Sequence, residues 1–361
     1  MMMLVSCARR VNDSRVERSR KTDSMPATDV LCGQSGLKQL VRAAFGPDTE
    51  ITAQTDVGGG RGTFSEVIRL DLADSDAVSA TAVAKLPVEN INRDAAAASG
   101  AYRREAAAYE HLLPLSPVAH PNLHASLTAD DTAAFLLEDL TPLRRVDQLD
   151  GLDATDTAAV ADALSRFHRY WRSRIEKAGN PVEQLAIRRS TVSGFPLDPV
   201  ANGLEVVRVR WVEVAPSGIE AFARLVANAP ALIAAFTSVA ASEATLCHGD
   251  PRADNLCFSD DGSVVLFDWQ QIAVQFGEAD LAWLMATSLD PDVRRACADD
   301  IVRDHGGDLD RFRLGLVLPG LAALLLAQRE AGHKRTQRFI STSLRRIAAA
   351  LIDYEVATAA V

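Results

Sequence analysis

The chain has 361 residues, 48% apolar and 24% charged, with a formal net charge of −10 at pH 7. That length suits two compact units better than one, and the acidic balance argues against a nucleic-acid-binding surface. Cys7, Cys32, Cys247, Cys257 and Cys297 are odd in number and show no CxxC or Cys/His ligand spacing, which fits buried or incidental thiols in a reducing cytoplasm.

Residues 1–24 are basic and polar without an apolar period and are expected to be a disordered extension, with Met25 as an alternative start. Leu4-Val5-Ser6-Cys7 superficially matches a lipobox, but no charged region or long apolar stretch precedes it. A short amphipathic helix is expected over Leu37–Phe45 and a strand near Glu50–Asp56. Gly58-Gly59-Gly60-Arg61-Gly62-Thr63-Phe64 follows, and then a strand from Ser65 to Leu72. In such a strand–turn–strand, backbone amides at Gly59, Gly60 and Gly62 can approach a nucleotide phosphate because no Cβ intervenes. It is not a P-loop, since the GK[ST] ending is missing and a strand follows. A flexible hairpin tip is the competing explanation.

Thr81–Leu86 is a small apolar strand carrying Lys85, one of only five lysines in the chain. Alternation puts Lys85 on one face with Thr81 and Val83; an edge gatekeeper is the alternative. Across Ser99–Leu113, Tyr102, Glu105, Tyr109 and Leu112 share a helical stripe, so Glu105 sits in the core-facing row, where an unpaired acid is costly. A Lys85–Glu105 pair accounts for both residues, and such a pair positions the α- and β-phosphates in kinase-like folds. His111, His120 and His124 complete no compact ligand set. Ala133–Pro142 is an apolar strand breaking into an acidic turn.

From Leu152 the pattern turns helical. Asp153 and Thr155 can cap a helix with Val160, Leu164, Phe167 and Trp171 on one stripe, and His168 reads as a packed helix histidine. Val192–Gly218, with its prolines, Arg208, Arg210 and Trp211, reads as irregular, either an acceptor-site insertion or a surface excursion. Leu314–Ala327 is the most apolar run and, at about 14 residues, too short for a membrane span, so no membrane partner is expected.

The densest signal is His248-Gly249-Asp250-Pro251-Arg252-Ala253-Asp254-Asn255, with Asp268 13 residues after Asn255 on an apolar strand. In phosphoryl transfer one carboxylate, here Asp250, orients the attacking hydroxyl and accepts its proton. The Asn255 amide oxygen and Asp268 would hold Mg²⁺ on the nucleotide phosphates. Cys257–Val265 reads as strand, turn, strand, and a hairpin there would bring both metal positions to one end. A polar loop before an ordinary hairpin is the alternative. His248 suits fixing the loop, and Arg252 either meets the γ-phosphate or caps the loop. Only 11 residues separate Asp268 from Asp280, which leaves no long activation segment of the protein-kinase type and favours a small-molecule alcohol as acceptor.

HGDPRADNLCF, VVLFDWQ and FGEADLAWLM resemble the aminoglycoside phosphotransferase and choline kinase superfamily, small-molecule relatives of protein kinases. The wording is similar to the ecdysteroid-kinase-like (CHK kinase-like) branch and to phosphotransferase domains related to those fused to acyl-CoA dehydrogenases. The resemblance runs from roughly Leu31 to the C-terminus. It implies an α+β, bilobal, protein-kinase-like fold, with an antiparallel-sheet N-lobe over 25–140 and a mainly helical C-lobe over 141–361. It also implies ATP as donor, GTP remaining open, with Mg²⁺; the same roles for Lys85 and Glu105; and a hinge whose backbone groups near Glu138–Leu140 face adenine. An ordinary strand end with solvated acids is the alternative for that hinge. Asp280 would brace the catalytic loop, and Asp254 would not be a ligand.

The resemblance does not identify the acceptor. On the last helix, cored by Ile340, Leu344, Ile347 and Leu351, five basic residues (Lys334, Arg335, Arg338, Arg345, Arg346) outnumber Asp353 and Glu355. A polycationic acceptor wants clustered carboxylates, so a neutral or anionic alcohol is favoured. An aminoglycoside kinase and a non-catalytic nucleotide-binding module are the alternatives. Retention of Lys85, Glu105, Asp250, Asn255 and Asp268 argues against the second. Oligomeric state is left open.

Overall fold

A computed structural model describes residues 31–57, 65–73, 79–88, 91–175, 177, 180, 182, 185, 187, 195–329 and 333–356. The chain divides into two compact units, Met2–Ala106 with Asn122–Asp139, and Ala107–Pro121 with Leu140–Val361. The extension 1–24, the glycine-rich turn 58–64 and residues 192–194 lie outside the described residues.

In the first unit, β1 (Glu50–Asp56), β2 (Ser65–Ala73), β3 (Ser79–Pro87), β4 (Leu123–Ala129) and β5 (Thr132–Glu138) form one antiparallel sheet in the order β1-β2-β3-β5-β4. Alternation builds its core: Ile68, Leu70 and Leu72, then Ala82, Ala84 and Leu86, then Ala134 and Leu136 are buried on one face. Helix α1 (Gly33–Phe45) packs on that face through Leu37, Leu40 and Val41. The same alternation puts Lys85 on the other face, opposite Val67 of β2 and Phe135 of β5. Helices α2 (Ile91–Ala98) and α3 (Ala101–Ala107) follow β3. The expected single helix over Ser99–Leu113 is broken: beyond α3, Ala108–Leu112 winds as a π-helix. Pro114, with no amide hydrogen, ends the ladder there. Tyr102, Glu105, Tyr109 and Leu112 are all buried, as their stripe requires.

The second unit is mainly helical. Helix α4 (Ala154–Ile175) begins where the Asp153 carboxylate accepts the Asp156 N–H at 2.7 Å, and it buries Val160, Leu164, Phe167 and Trp171 completely. The excursion expected at Val192–Gly218 is instead largely α5 (Leu197–Arg210). Pro196 is its N-cap and Pro199 lies in its first turn, where an amide N–H has no helical partner to lose. Val200, Leu204, Val207 and Trp211 bury one face. Helix α6 (Pro216–Ser242) is, by length and composition, apolar enough to cross a membrane, yet Phe222, Leu225, Leu232 and Phe236 are buried within this unit.

Two small ladders follow. β6 (Thr245–Cys247) pairs with β9 (Ala273–Gln275), and β7 (Leu256–Phe258) pairs with β8 (Val264–Leu266) as the expected hairpin. Then come α7 (Gly277–Ser288), α8 (Pro291–Asp304), α9 (Leu309–Gly315), α10 (Val317–Leu326) and α11 (Lys334–Asp353). The apolar run at 314–327 is divided between α9 and α10 and buries Leu316, Val317, Leu318, Leu321 and Leu324. On α11 the core stripe is as expected, but Arg346 is buried with it. Its guanidinium donates to the carbonyls of Gln148, Leu149 and Thr287 at 2.6, 3.1 and 3.2 Å. Arg346 therefore clamps two chain segments to α11 and is not part of a basic surface. The whole is α+β: a five-stranded antiparallel sheet unit and a helical unit.

Candidate active site

The loop from β6 to β7 carries the motif, and α7 holds it. Asp280, fully buried in the first turn of α7, accepts the N–H of His248 on Oδ2 at 2.8 Å and that of Gly249 on Oδ1 at 2.9 Å. His168 of α4 lies 2.9 Å from the same Oδ2 through Nε2, and its Nδ1 is 3.3 Å from His305 Nε2. Burial, then the neighbouring His168, pulls the His305 pKa down to about 3. His168, Cys247 and Asp280 offer ligand-type atoms within 4.8 Å of one another. Asp280 is already the acceptor of two amides, so this buried cluster acts as a hydrogen-bonded brace.

His248 is tied in place twice more. Its Nε2 lies 3.0 Å from the Phe267 carbonyl, which can only accept, so Nε2 carries the hydrogen and Nδ1 receives the Asp250 N–H at 3.3 Å. Burial lowers its pKa, and its ring packs 4.4 Å from that of Trp269. The histidine is thus a neutral strut between loop and hairpin. Gly249 has φ +83°, and a Cβ there would lie 2.2 Å from the Gln271 carbonyl oxygen. Only glycine fits.

Asp250 is buried, and burial raises its pKa above the usual carboxylate value, with Arg252 opposing. Its Oδ1 accepts the indole N–H of Trp283 at 2.6 Å. Among the described residues its Oδ2 accepts no hydrogen bond; it stands 3.8 Å from Arg252 Nε, a buried nitrogen that likewise finds no partner among them. The Arg252 guanidinium lies 5.7 Å from the Phe339 ring. Asn255 donates Nδ2 to the Asp250 carbonyl at 2.8 Å, which leaves Oδ1 as its acceptor. Phe267 N–H bonds the Asn255 carbonyl at 3.1 Å, so the hairpin brings Asn255 and the Phe267–Asp268 strand end together. Asp268 has a left-handed backbone, φ 64° and ψ 63°, sparsely populated for a non-glycine and typical of functional positions. Asp254 points elsewhere, its Oδ1 accepting the Gln148 N–H at 3.2 Å.

In the sheet unit, Lys85 Nζ lies 2.6 and 2.8 Å from the two oxygens of Glu105. Glu105 is buried and Lys85 nearly so. At the end of β5 Glu138 accepts from Asn122 Nδ2 at 2.8 Å, and Asp139 from Arg69 Nε at 2.8 Å. The Glu138 N–H donates to the Asn122 carbonyl, and the Leu140 carbonyl accepts from Leu143. Gly59, Gly60 and Gly62 lie outside the described residues. Sequence reasoning gives Trp283 no role and His168 only that of a packed helix histidine, yet the first contacts Asp250 and the second Asp280. For Trp283 the signal was present as the i, i+3 spacing from Asp280.

Residues 60–313 match the profile of the ecdysteroid kinase-like family. No curated protein matches the sequence. Among solved structures, the GDP and kanamycin complex of APH(2")-IIia is similar with a TM-score of 0.55 at 12% identity, over 88% of this chain and 99% of that one. A protein from Ralstonia eutropha jmp134 named for the aminoglycoside phosphotransferases gives 0.52 at 14% identity, over 89% and 98%. At such identities the likeness concerns the fold alone.

Proposed function

The chain belongs to the ecdysteroid kinase-like family of kinase-like phosphotransferases, and we propose that it moves the γ-phosphoryl group of ATP onto a hydroxyl of a small molecule. The observation that carries this reading is the Asp250 carboxylate, buried, with Oδ1 held by Trp283 and Oδ2 accepting no hydrogen bond from the described residues. A positioned carboxylate with one open oxygen suits a base that receives a hydroxyl proton. The acceptor oxygen attacks the γ-phosphorus, and the bond to the bridging oxygen breaks with its electrons leaving on the nucleoside diphosphate. The proton passes to Oδ2 of Asp250.

The donor set fits Mg²⁺, since Asn255 Oδ1 and the Asp268 carboxylate are hard oxygen ligands. When bound, the ion neutralises charge on the phosphates. Lys85, oriented by Glu105, would meet the α- and β-phosphates, with amides of Gly59, Gly60 and Gly62 covering them. The Glu138 carbonyl and the Leu140 amide would face the base, because the Glu138 N–H and the Leu140 carbonyl are engaged elsewhere. Arg252 adds positive charge beside Asp250, while His248 and Asp280 keep the loop in shape.

For the acceptor we favour a neutral or anionic alcohol in the cytoplasm. Arg338 and Arg345 are exposed on α11, and that helix carries no acidic cluster to receive a polycation. The test is nucleoside diphosphate release from Mg-ATP and Mg-GTP with a panel of neutral, anionic and aminoglycoside alcohols. Turnover restricted to kanamycin-like acceptors overturns the acceptor class. No release with any acceptor, together with no Mg²⁺-dependent nucleotide binding, overturns the kinase reading.

A further inference from the structure

Helix α7 touches the catalytic loop at two points one turn apart. Asp280 fixes the loop backbone through the His248 and Gly249 amides. Trp283, three residues on and on the same side of the helix, reaches the Asp250 side chain itself at 2.6 Å. An indole N–H can only donate, and a hydrogen bond to an ionised carboxylate is short and strong. The terminal torsion of an aspartate is otherwise soft, with a broad twofold preference. Trp283 makes the two oxygens unequal: Oδ1 holds its indole, and Oδ2 accepts no hydrogen bond from the described residues.

We propose that Trp283 is a positioning residue for phosphoryl transfer, holding Oδ1 so that Oδ2 alone is presented to the acceptor hydroxyl. This rests on the reading of Asp250 as the base. In the step itself the hydroxyl proton goes to Oδ2, and the indole keeps its own hydrogen on Oδ1 throughout. Trp283 is half-buried, so it acts through Asp250 and not as a plug of the core.

The experiment is a double-mutant cycle on hydrolysis of Mg-ATP with water as acceptor, comparing wild type, Trp283→Phe, Asp250→Ala and the double variant. Phenylalanine keeps the ring and removes the donor. Trp283→Phe should lower kcat by about 10–10²-fold, the loss of one hydrogen bond to a charged group. The KM for Mg-ATP should stay within about twofold of wild type, the mark of a transition-state effect. In the Asp250→Ala background the same change should cost nothing further, because the two residues act as a unit. Losses that multiply, or a normal kcat for Trp283→Phe beside an impaired Asp250→Ala, overturn the proposal for Trp283. A normal kcat for Asp250→Ala overturns the base assignment beneath it, so the two failures are distinguishable. If Trp283→Phe does not fold, Trp283→Met carries the same cycle with the same expected outcomes.

Discussion

Gly249→Ala should disable the catalytic loop while leaving every reactive side chain in the sequence. The new Cβ would stand 2.2 Å from the Gln271 carbonyl oxygen, 2.8 Å from its carbon and 3.1 Å from the Gln271 Cβ, on a backbone with φ +83°. The left-handed conformation costs an L-residue about 1–2 kcal/mol, and an overpacked methyl in a rigid site adds about 1–3 kcal/mol. The sum, about 2–5 kcal/mol, is a large part of the roughly 5–15 kcal/mol that holds a domain folded. For a unit of this size the melting temperature falls by about 2–4 °C per kcal/mol. Relief of the clash requires a movement of about 1 Å, and because Asp280 holds the Gly249 amide, the shift falls on Asp250. A displacement of that size costs about 10²-fold in rate. Thermal melting and Mg-ATP turnover read both effects. A melting temperature within about a degree of wild type, with unchanged turnover, would refute the claim that this close approach shapes the loop.

Asp250→Ala should keep the fold and nucleotide binding and lose roughly 10²–10⁴ in turnover; near-normal acceptor phosphorylation removes it from the mechanism. Asp268→Asn should weaken nucleotide binding only when Mg²⁺ is present, because a hard cation prefers an anionic oxygen. Equal ATP affinities in wild type and variant, with and without the ion, exclude it as a ligand. Lys85→Met should destabilise the sheet unit by about 3–5 kcal/mol, having removed the cation facing buried Glu105. Lys85→Met with Glu105→Leu should recover that stability in denaturant unfolding but not the nucleotide affinity. His305, held neutral by burial with a pKa of about 3 in place of 6.5, takes up a proton more readily when unfolded. Its contribution to stability is therefore present above about pH 6.5 and lost as pH falls toward 3. His305→Gln should flatten that acid dependence in denaturant midpoints, and an unchanged dependence would exclude His305 as its source.

The strongly patterned parts of the fold were legible because one local rule decided each. Alternation over Ser79–Pro87 put Lys85 on the face away from α1, and the 3.6-residue period of Tyr102, Glu105, Tyr109 and Leu112 placed an acid where only a cation could meet it. Those two periods make a Lys85–Glu105 pair the economical reading, with an edge lysine as the alternative, and the two side chains lie 2.6 Å apart. The proline-bearing stretch before Trp211 misled because proline punctuates a helix interior and is harmless at its start; Leu197–Arg210 begins on Pro196. Arg346 misled for another reason. Composition counts its charge as surface, yet three carbonyls from segments nearly 60 to 200 residues away satisfy it in the interior. Trp283 was visible only as part of a motif, since its bond to Asp250 joins residues 33 apart, a distance over which no local period speaks.

The segment between the two aspartates bears on the acceptor proposed for the site. Protein kinases use the chain after the metal aspartate to bind a polypeptide and to be switched by phosphorylation. Here residues 269–279 contain no serine, threonine or tyrosine, and each part is committed to structure. Trp269 packs on His248, the Gln271 carbonyl closes on Gly249, and Ala273–Gln275 pairs with Thr245–Cys247. Residues 272–280 are buried without a break. Freeing this stretch to hold a peptide would dismantle the supports of His248, Gly249 and Asp280 on which the geometry of Asp250 depends. A loop that is its own scaffold cannot also be a substrate platform, which supports the proposal of a small molecule, carried in and released without rearranging this segment, as the acceptor.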